Sequence, residues 1–203
     1  MRGFARVSKR FLVVAIIAVA AAFFVVAPFS RPAQPGNSPP LFEQPSLVLL
    51  DEQRDRAFIL NAHSGTVVGL RASTKEVVGR VAAAPHASAM ALNAQSGDLY
   101  VLDTLLNSVV MVKAGAWSGG SAESATSTVQ RLLVGKQPTS LVADSSRNRL
   151  YVTNFDDNSM SVIDLTQARV IATLSVGQGP RQVVVHPRTG LVYVANEPER
   201  SVS

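Results

Sequence analysis

The stretch NRLYVTN, Asn148 to Asn154, returns as GLVYVAN, Gly190 to Asn196, which sets Tyr193 in the place of Tyr151 one repeat later. Gly135 and Gly177, Pro138 and Pro180, and Asn154 and Asn196 keep the same interval. A period of about 40 residues made of strand-like segments marks a propeller-type array. The frame runs backwards from there. The step from Pro138 to Tyr151 equals that from Pro180 to Tyr193 and that from Pro45 to Phe58. The step from Phe58 to Tyr100 equals that from Tyr151 to Tyr193. Seven positions before the aromatic stand Asp51, Asn93, Asp144 and His186; three after it stand Asn61, Asp103, Asn154 and Asn196. Four copies sharing an aromatic, a turn-former before it and a carboxamide or carboxylate after it are not a chance agreement.

Each unit reads as four short strands. In the third they are Ser140–Asp144, Arg149–Asn154, Met160–Leu165 and Val170–Val176. They are rich in Val, Ile, Leu and Tyr, and stretches such as SSRN and FDDN break them with turn chemistry. Gly97, Asn148 or Gly190 after the turn-former suits a hairpin in which that residue takes positive φ. Pro45, Pro85, Pro138 and Pro180 fall in the connections, where no ladder hydrogen bond is lost. The expected fold is an all-β propeller of four-stranded blades. Its units span about 46–81, 82–133, 134–175 and 176–203.

With these residues in view, NRLYVTNFDDNSMSVIDLTQARVIATLSVGQGPRQVVVHP resembles the YVTN β-propeller repeat family, which includes the YncE-type proteins. The resemblance is close from Val134 to Ser203 and weaker but in frame from Pro45 to Leu133. It implies a propeller, usually seven-bladed in that family, exported or displayed at the cell surface. Unit one departs from the pattern with Phe58 for Tyr, and unit two with Asp103 for Asn. Unit two is also longer, since Tyr100 to Pro138 exceeds the matching span from Tyr151 to Pro180. The excess falls in GAWSGGSAESATST, read as a solvated loop, whose Trp117 is either an exposed anchor for a partner or folded back on its blade. Ser203 aligns with Ser161, inside a third strand, so the fourth unit is expected to be incomplete. Since an open propeller exposes apolar faces at both ends, the expectation is a truncated piece of a longer propeller, with a self-complementing oligomer as the alternative.

The amino terminus is of another kind. Residues 1–10 carry four positive charges and no acid, and Phe11 to Ala27 is an unbroken apolar run. A cleaved signal peptide and an uncleaved anchor both fit residues 1–30; the length of the run points to an apolar helix anchoring the chain in the membrane. The remainder is then extracytoplasmic, in the periplasm or at the cell surface, or secreted if cleavage occurs. Residues 31–45 hold five prolines and read as an extended linker.

Composition narrows the chemistry. The absence of cysteine excludes disulfides, thiolate metal sites and a Cys nucleophile. The net charge of +5 is that of the leader, where Arg2, Arg6, Lys9, Arg10 and Arg31 lie; beyond it basic and acidic residues balance. That neutral body has no basic run to track a phosphate backbone, which argues against a nucleic-acid partner.

No HxH or HExxH spacing, GxSxG elbow, phosphate loop or dinucleotide fingerprint occurs, so no catalytic residue, metal ligand or cofactor is assigned. His186 reads as a turn residue. Asp156, Asp157, Asn158, Glu197 and Glu199 could offer oxygens to calcium, but loop solvation accounts for them more simply. The residues after the connection prolines, Ser46, His86, Thr139 and Arg181, enter the innermost strands near the mouth of the channel, where propellers commonly bind partners. Tyr151 and Asn154 are assigned to blade packing and turn capping. The expectation is a non-catalytic binding or scaffold module for a protein or envelope ligand; a propeller subunit of an extracytoplasmic oxidoreductase is the alternative.

Overall fold

The computed structural model describes residues 41–117 and 129–203, all within one compact unit, Pro39–Ser203. The expected membrane helix and most of the linker lie outside the described residues. Four antiparallel sheets follow one another along the chain. Blade 1 holds β1 (Pro45–Asp51), β2 (Arg56–Asn61), β3 (Thr66–Arg71) and β4 (Val77–Ala82). Blade 2 holds β5 (Ala87–Leu92), β6 (Leu99–Asp103), β7 (Ser108–Val112) and β8 (Val129–Leu133). Blade 3 holds β9 (Pro138–Asp144), β10 (Arg149–Asn154), β11 (Ser159–Asp164) and β12 (Arg169–Ser175). Blade 4 has three strands, β13 (Pro180–Val185), β14 (Val192–Asn196) and β15 (Ser201–Val202). Within each blade the strands pair in sequence order, and the first strands β1, β5, β9 and β13 lie side by side. The chain is all-β and folds as β-propeller blades.

The hairpins form where the turn chemistry demands. Asp51, Asn93, Asp144 and His186 each accept main-chain N–H groups two or three residues on, at Arg54, Gln95 and Ser96, Arg147, and Thr189 respectively. The Nδ1 atom of His186 does this as an acceptor, 3.2 Å from the Thr189 nitrogen, which accounts for its place in the turn. Four residues beyond Asn93, Asp144 and His186 the backbone goes left-handed, with φ of 77° at Gly97, 53° at Asn148 and 75° at Gly190.

The core lies between blades. Phe58 packs with Met90, Leu99 and Val101 of blade 2; Tyr100 packs with Leu141, Leu150 and Val152 of blade 3; Tyr151 packs against Val183 and Val194 of blade 4. Each aromatic thus covers the following blade, and burial of such a ring contributes about 2–3 kcal/mol. Burial, with the charge of Asp98 nearby, pushes the Tyr100 phenol pKa well up, against contacts with Asn93 and Ser96 that favour ionisation. Desolvation, with Asp144, raises that of Tyr151 against the pull of Arg147 and Arg149.

Trp117 takes the second of the two places open to it. It closes the short helical turn Ala114–Trp117 and is buried against blade 1, its ring centroid 5.0 Å from that of Phe58. Gly69 and Gly79 face each other in register across β3 and β4 and leave the slot for the indole. The first residues of the long blade 2 connection therefore fasten blade 2 to blade 1.

Candidate functional site

Every first strand begins with a bulge. The register slips at Pro45/Leu47, Ala87/Ala89, Pro138/Ser140 and Pro180/Gln182, so one extra residue stands out of each ladder. Those residues are Ser46, Ser88, Thr139 and Arg181. Three of the four rim residues expected from sequence occupy this position; in blade 2 Ser88 occupies it instead of His86. Pro85 stands two positions too early relative to Tyr100 for the common frame, so β5 starts at Ala87 and His86 precedes the strand.

The bulges do structural work between blades. Thr139 Oγ1 donates to the Pro180 carbonyl at 2.8 Å and accepts from Thr153 Oγ1 at 3.0 Å. One blade earlier, Thr104 Oγ1 donates to the Pro138 carbonyl at 3.0 Å, with Ser88 Oγ 2.6 Å away as its donor. In both cases a hydroxyl pair reaches a proline carbonyl of the next blade. Ser46 Oγ stays within blade 1 and donates to the Leu60 carbonyl at 3.4 Å. Arg181 pairs with Glu197 through its Nε, and its guanidinium sits 4.8 Å from the centre of the Phe155 ring on blade 3.

His86 places Nδ1 3.4 Å from Oδ1 of the fully buried Asp103. Asp103 also holds Arg131 Nη1 at 3.2 Å, and that same nitrogen donates to Ser108 Oγ at 2.5 Å. The other blades solve the same corner without charge. Asn61 donates to Thr66 Oγ1; Asn154 donates to Ser159 and Ser161; Asn196 donates to Ser201 and Ser203. Thr66, Ser108, Ser159 and Ser201 all stand eight positions after the aromatic, a periodic hydroxyl that lies outside the expected frame of aromatic, turn-former and carboxamide. Where Asp103 replaces Asn, Arg131 supplies the compensating cation.

The acidic turns are engaged by backbone. Asp157 Oδ2 accepts from Lys136 N at 2.7 Å, and Glu199 Oε2 accepts from Gln178 N at 2.6 Å. In blade 1 the matching amide, Glu43 N, goes instead to Asn61 Oδ1 at 3.2 Å. Because the acids take that amide in blades 3 and 4, Asn154 Oδ1 and Asn196 Oδ1 are left buried without a hydrogen bond. Among the described residues, no three His, Asp or Glu side chains converge as metal ligands, and no helix is long and apolar enough to cross a membrane.

At the opposite end of the blades, guanidinium groups join neighbours. Arg54 Nη1 and Nη2 donate to the carbonyls of Ala94 and Gln95 at 2.9 and 2.5 Å, passing over Gly97 of blade 2. Arg147 lies in the same way over Gly190 of blade 4. Between blades 2 and 3 a carboxamide contact replaces it, Asn93 Nδ2 donating to Asn148 Oδ1 at 3.1 Å.

No family model matches this chain, and no curated protein matches it. Among solved structures it is similar to Kuenenia stuttgartiensis hydrazine synthase, with a TM-score of 0.66 and 20% identity over 81% of this chain and 45% of that one. It is also similar to U3-55K (TM-score 0.57, 15% identity, 77% of this chain and 50% of that one). The RRP9 WD40 repeats give a TM-score of 0.56 at 15% identity, over 77% of this chain and 49% of that one. The chain thus spans about half the length of each, and the likeness is one of fold.

Proposed function

We propose that this chain is a YVTN-type propeller module that binds a protein or envelope component without catalysis, exported and held at the membrane by residues 11–27. The rim where the first strands begin is the binding surface. One observation carries this reading: four adjacent strands each open on a bulge that sets Ser46, Ser88, Thr139 and Arg181 along the same end. Bulges re-aim side chains at strand ends, and propellers bind at the mouths of their channels. The basic leader followed by the unbroken apolar run from Phe11 to Ala27 supports export and anchoring.

Photo-crosslinking in cells tests it. A crosslinker placed at position 46, 139 or 181 of the full chain should give the same discrete adduct. One placed at 188, in the turn at the far end, should not. Equal labelling from both ends would sink the rim as a binding surface. Protease protection of intact and permeabilised cells tests export separately.

The second reading, a subunit of an extracytoplasmic oxidoreductase, is favoured by the fold likeness to hydrazine synthase, an enzyme by name. Purification of the full chain decides between the two. A chromophore or metal bound in stoichiometric amount would favour the oxidoreductase.

A further inference from the structure

The hairpin tips that follow the second strands of blades 2 and 3 open on the rim. Asp103 pairs with Ala87, and Asn154 with Pro138, at the starts of the first strands. Five and six positions after the aromatic, blade 2 carries Leu105 and Leu106, and blade 3 carries Asp156 and Asp157. Blade 1 has His63 and Ser64 there, so the repeat itself asks for nothing apolar at these places. Yet Leu105 is 70% exposed and Leu106 is 47% exposed. Leu133, in register with Ser108 at the rim end of β8, is 72% exposed. The tip of blade 2 is thus a leucine patch, beside a tip on blade 3 whose two aspartates are also exposed.

One connection holds the two tips together. The Gln137 N–H donates to Oδ1 of Asn107, next to Leu106, at 2.8 Å, and the Lys136 N–H donates to Asp157 Oδ2 at 2.7 Å. Consecutive amides therefore reach both tips. The Leu106 N–H donates to Asp103 Oδ1 at 3.1 Å, and the Val134 N–H, just after Leu133, donates to the Asn107 carbonyl at 2.9 Å. The surface is preorganised, so little ordering cost falls on binding. Among the described residues neither Asp156 nor Asp157 stands in an ion pair. Adjacent leucines left in water mark a surface that a partner covers, and the carboxylates beside them select which partner. An apolar side chain gains by burial on the leucines, and a Lys or Arg next to it gains from the aspartates. The same aspartates disfavour an anionic lipid surface.

We infer that a partner protein docks across the tips of blades 2 and 3 through a segment that carries apolar side chains beside Lys or Arg. Leu105, Leu106 and Leu133 take the apolar side chains; Asp156 and Asp157 take the cations. Lys136, exposed in the connection between the tips, opposes those cations, so removing its charge tightens binding. The inference rests on the binding role proposed for the rim and names the chemistry of its partner.

The probe is a random peptide library displayed on phage and panned on the full chain in mild detergent. Retained peptides are resynthesised and titrated by fluorescence anisotropy. They are expected to place Leu, Ile or Phe beside Lys or Arg. Their affinity should fall at least about tenfold in L105S/L106S, a single decade of dissociation constant. It should fall several-fold in D156N, rise in K136Q, and weaken with added salt. An unchanged circular dichroism spectrum checks each variant, and if L105S/L106S fails to fold, D156N and K136Q still decide. Acidic peptides, peptides indifferent to these variants, or a library that yields no binder overturn the inference. Should the peptides respond instead to R181A and T139V, the rim keeps its binding role and only this docking site is lost. Self-association of the full chain that L105S/L106S abolishes would assign the patch to a second copy. Labelling of position 106 by a photoactivatable lipid in proteoliposomes would assign it to the bilayer. Either result also overturns the inference.

Discussion

The indole of Trp117 rests on the bare Cα of Gly69: a Cβ added there would come within 2.8 Å of the ring atom Cε3. Blade 1 gives up a side chain so that a residue of blade 2 can lie flat against it. Gly69→Ala should therefore expel or tilt the ring and destabilise the fold by about 1–3 kcal/mol, the usual cost of overpacking. Trp117 is the chain's single tryptophan, so a red shift of its fluorescence reports the displacement directly. A variant as stable as the parent with unshifted emission would contradict the packing.

Arg131 and Asp103 test whether a charged pair stands in for a carboxamide. Arg131→Met leaves the buried carboxylate with His86 and with the Leu106 amide, which donates to Oδ1 at 3.1 Å. The expected loss is about 2–3 kcal/mol, below the figure for a fully buried pair because Arg131 is 37% exposed. Adding Asp103→Asn should restore most of it, since Asn with a hydroxyl eight positions after the aromatic is what the other blades use. Urea midpoints of the parent, both single variants and the double variant give the coupling.

Acid should weaken the fold through Asp144 and Asp164. Burial alone would raise the Asp144 carboxyl, but Ser146 Oγ at 2.6 Å and Arg147 outweigh it and hold its pKa below the ordinary 3.8. At Asp164 the amide of Gln167 is the main cause of a lowered value, opposed by desolvation and helped by Thr166 and Arg149. A carboxyl depressed in the folded state stabilises above its unfolded pKa and loses that contribution as pH falls through the folded value. Stability should be level above 3.8 and decline below it, and Asp144→Asn should flatten the decline. Thermal midpoints taken across that range decide.

Arg181 separates binding from folding. Its ion pair with Glu197 and its seat over Phe155 are exposed, so Arg181→Ala should change stability by less than about 1 kcal/mol. Thr139→Val, by contrast, removes the donor to the Pro180 carbonyl and should cost about 1 kcal/mol. Loss of the rim adduct in Arg181→Ala at unchanged stability is the expected result.

Strand positions and blade order are legible because one aromatic, one turn-former and one polar residue recur at fixed intervals. The turn-former and the polar residue answer needs inside their own hairpins, and the aromatic recurs because each is set against a following blade. Junction chemistry is harder to read because it joins residues of different repeats. The Gly69–Gly79 slot for Trp117 leaves no interval to find, although glycines inside two adjacent strands are a sign of close approach. In blade 2 the rim residue lies two positions beyond the expected His86, because Pro85 marks the connection and not the strand start. The carbonyl latches of Thr104 and Thr139 are hidden for a related reason: their acceptors are main-chain atoms, which no side-chain pattern announces.

The three junctions alternate between two chemistries at the turn end of the blades. Arg54 and Arg147 each lie over a glycine, Gly97 in blade 2 and Gly190 in blade 4. Blade 3 carries Asn148 at that place, committed to Asn93. Joining blade 1 directly to blade 3 would set the Arg54 guanidinium against the Asn148 carboxamide in place of a bare glycine. Blades of this chain are thus not interchangeable parts. Moving one blade means remaking the contacts at both of its junctions.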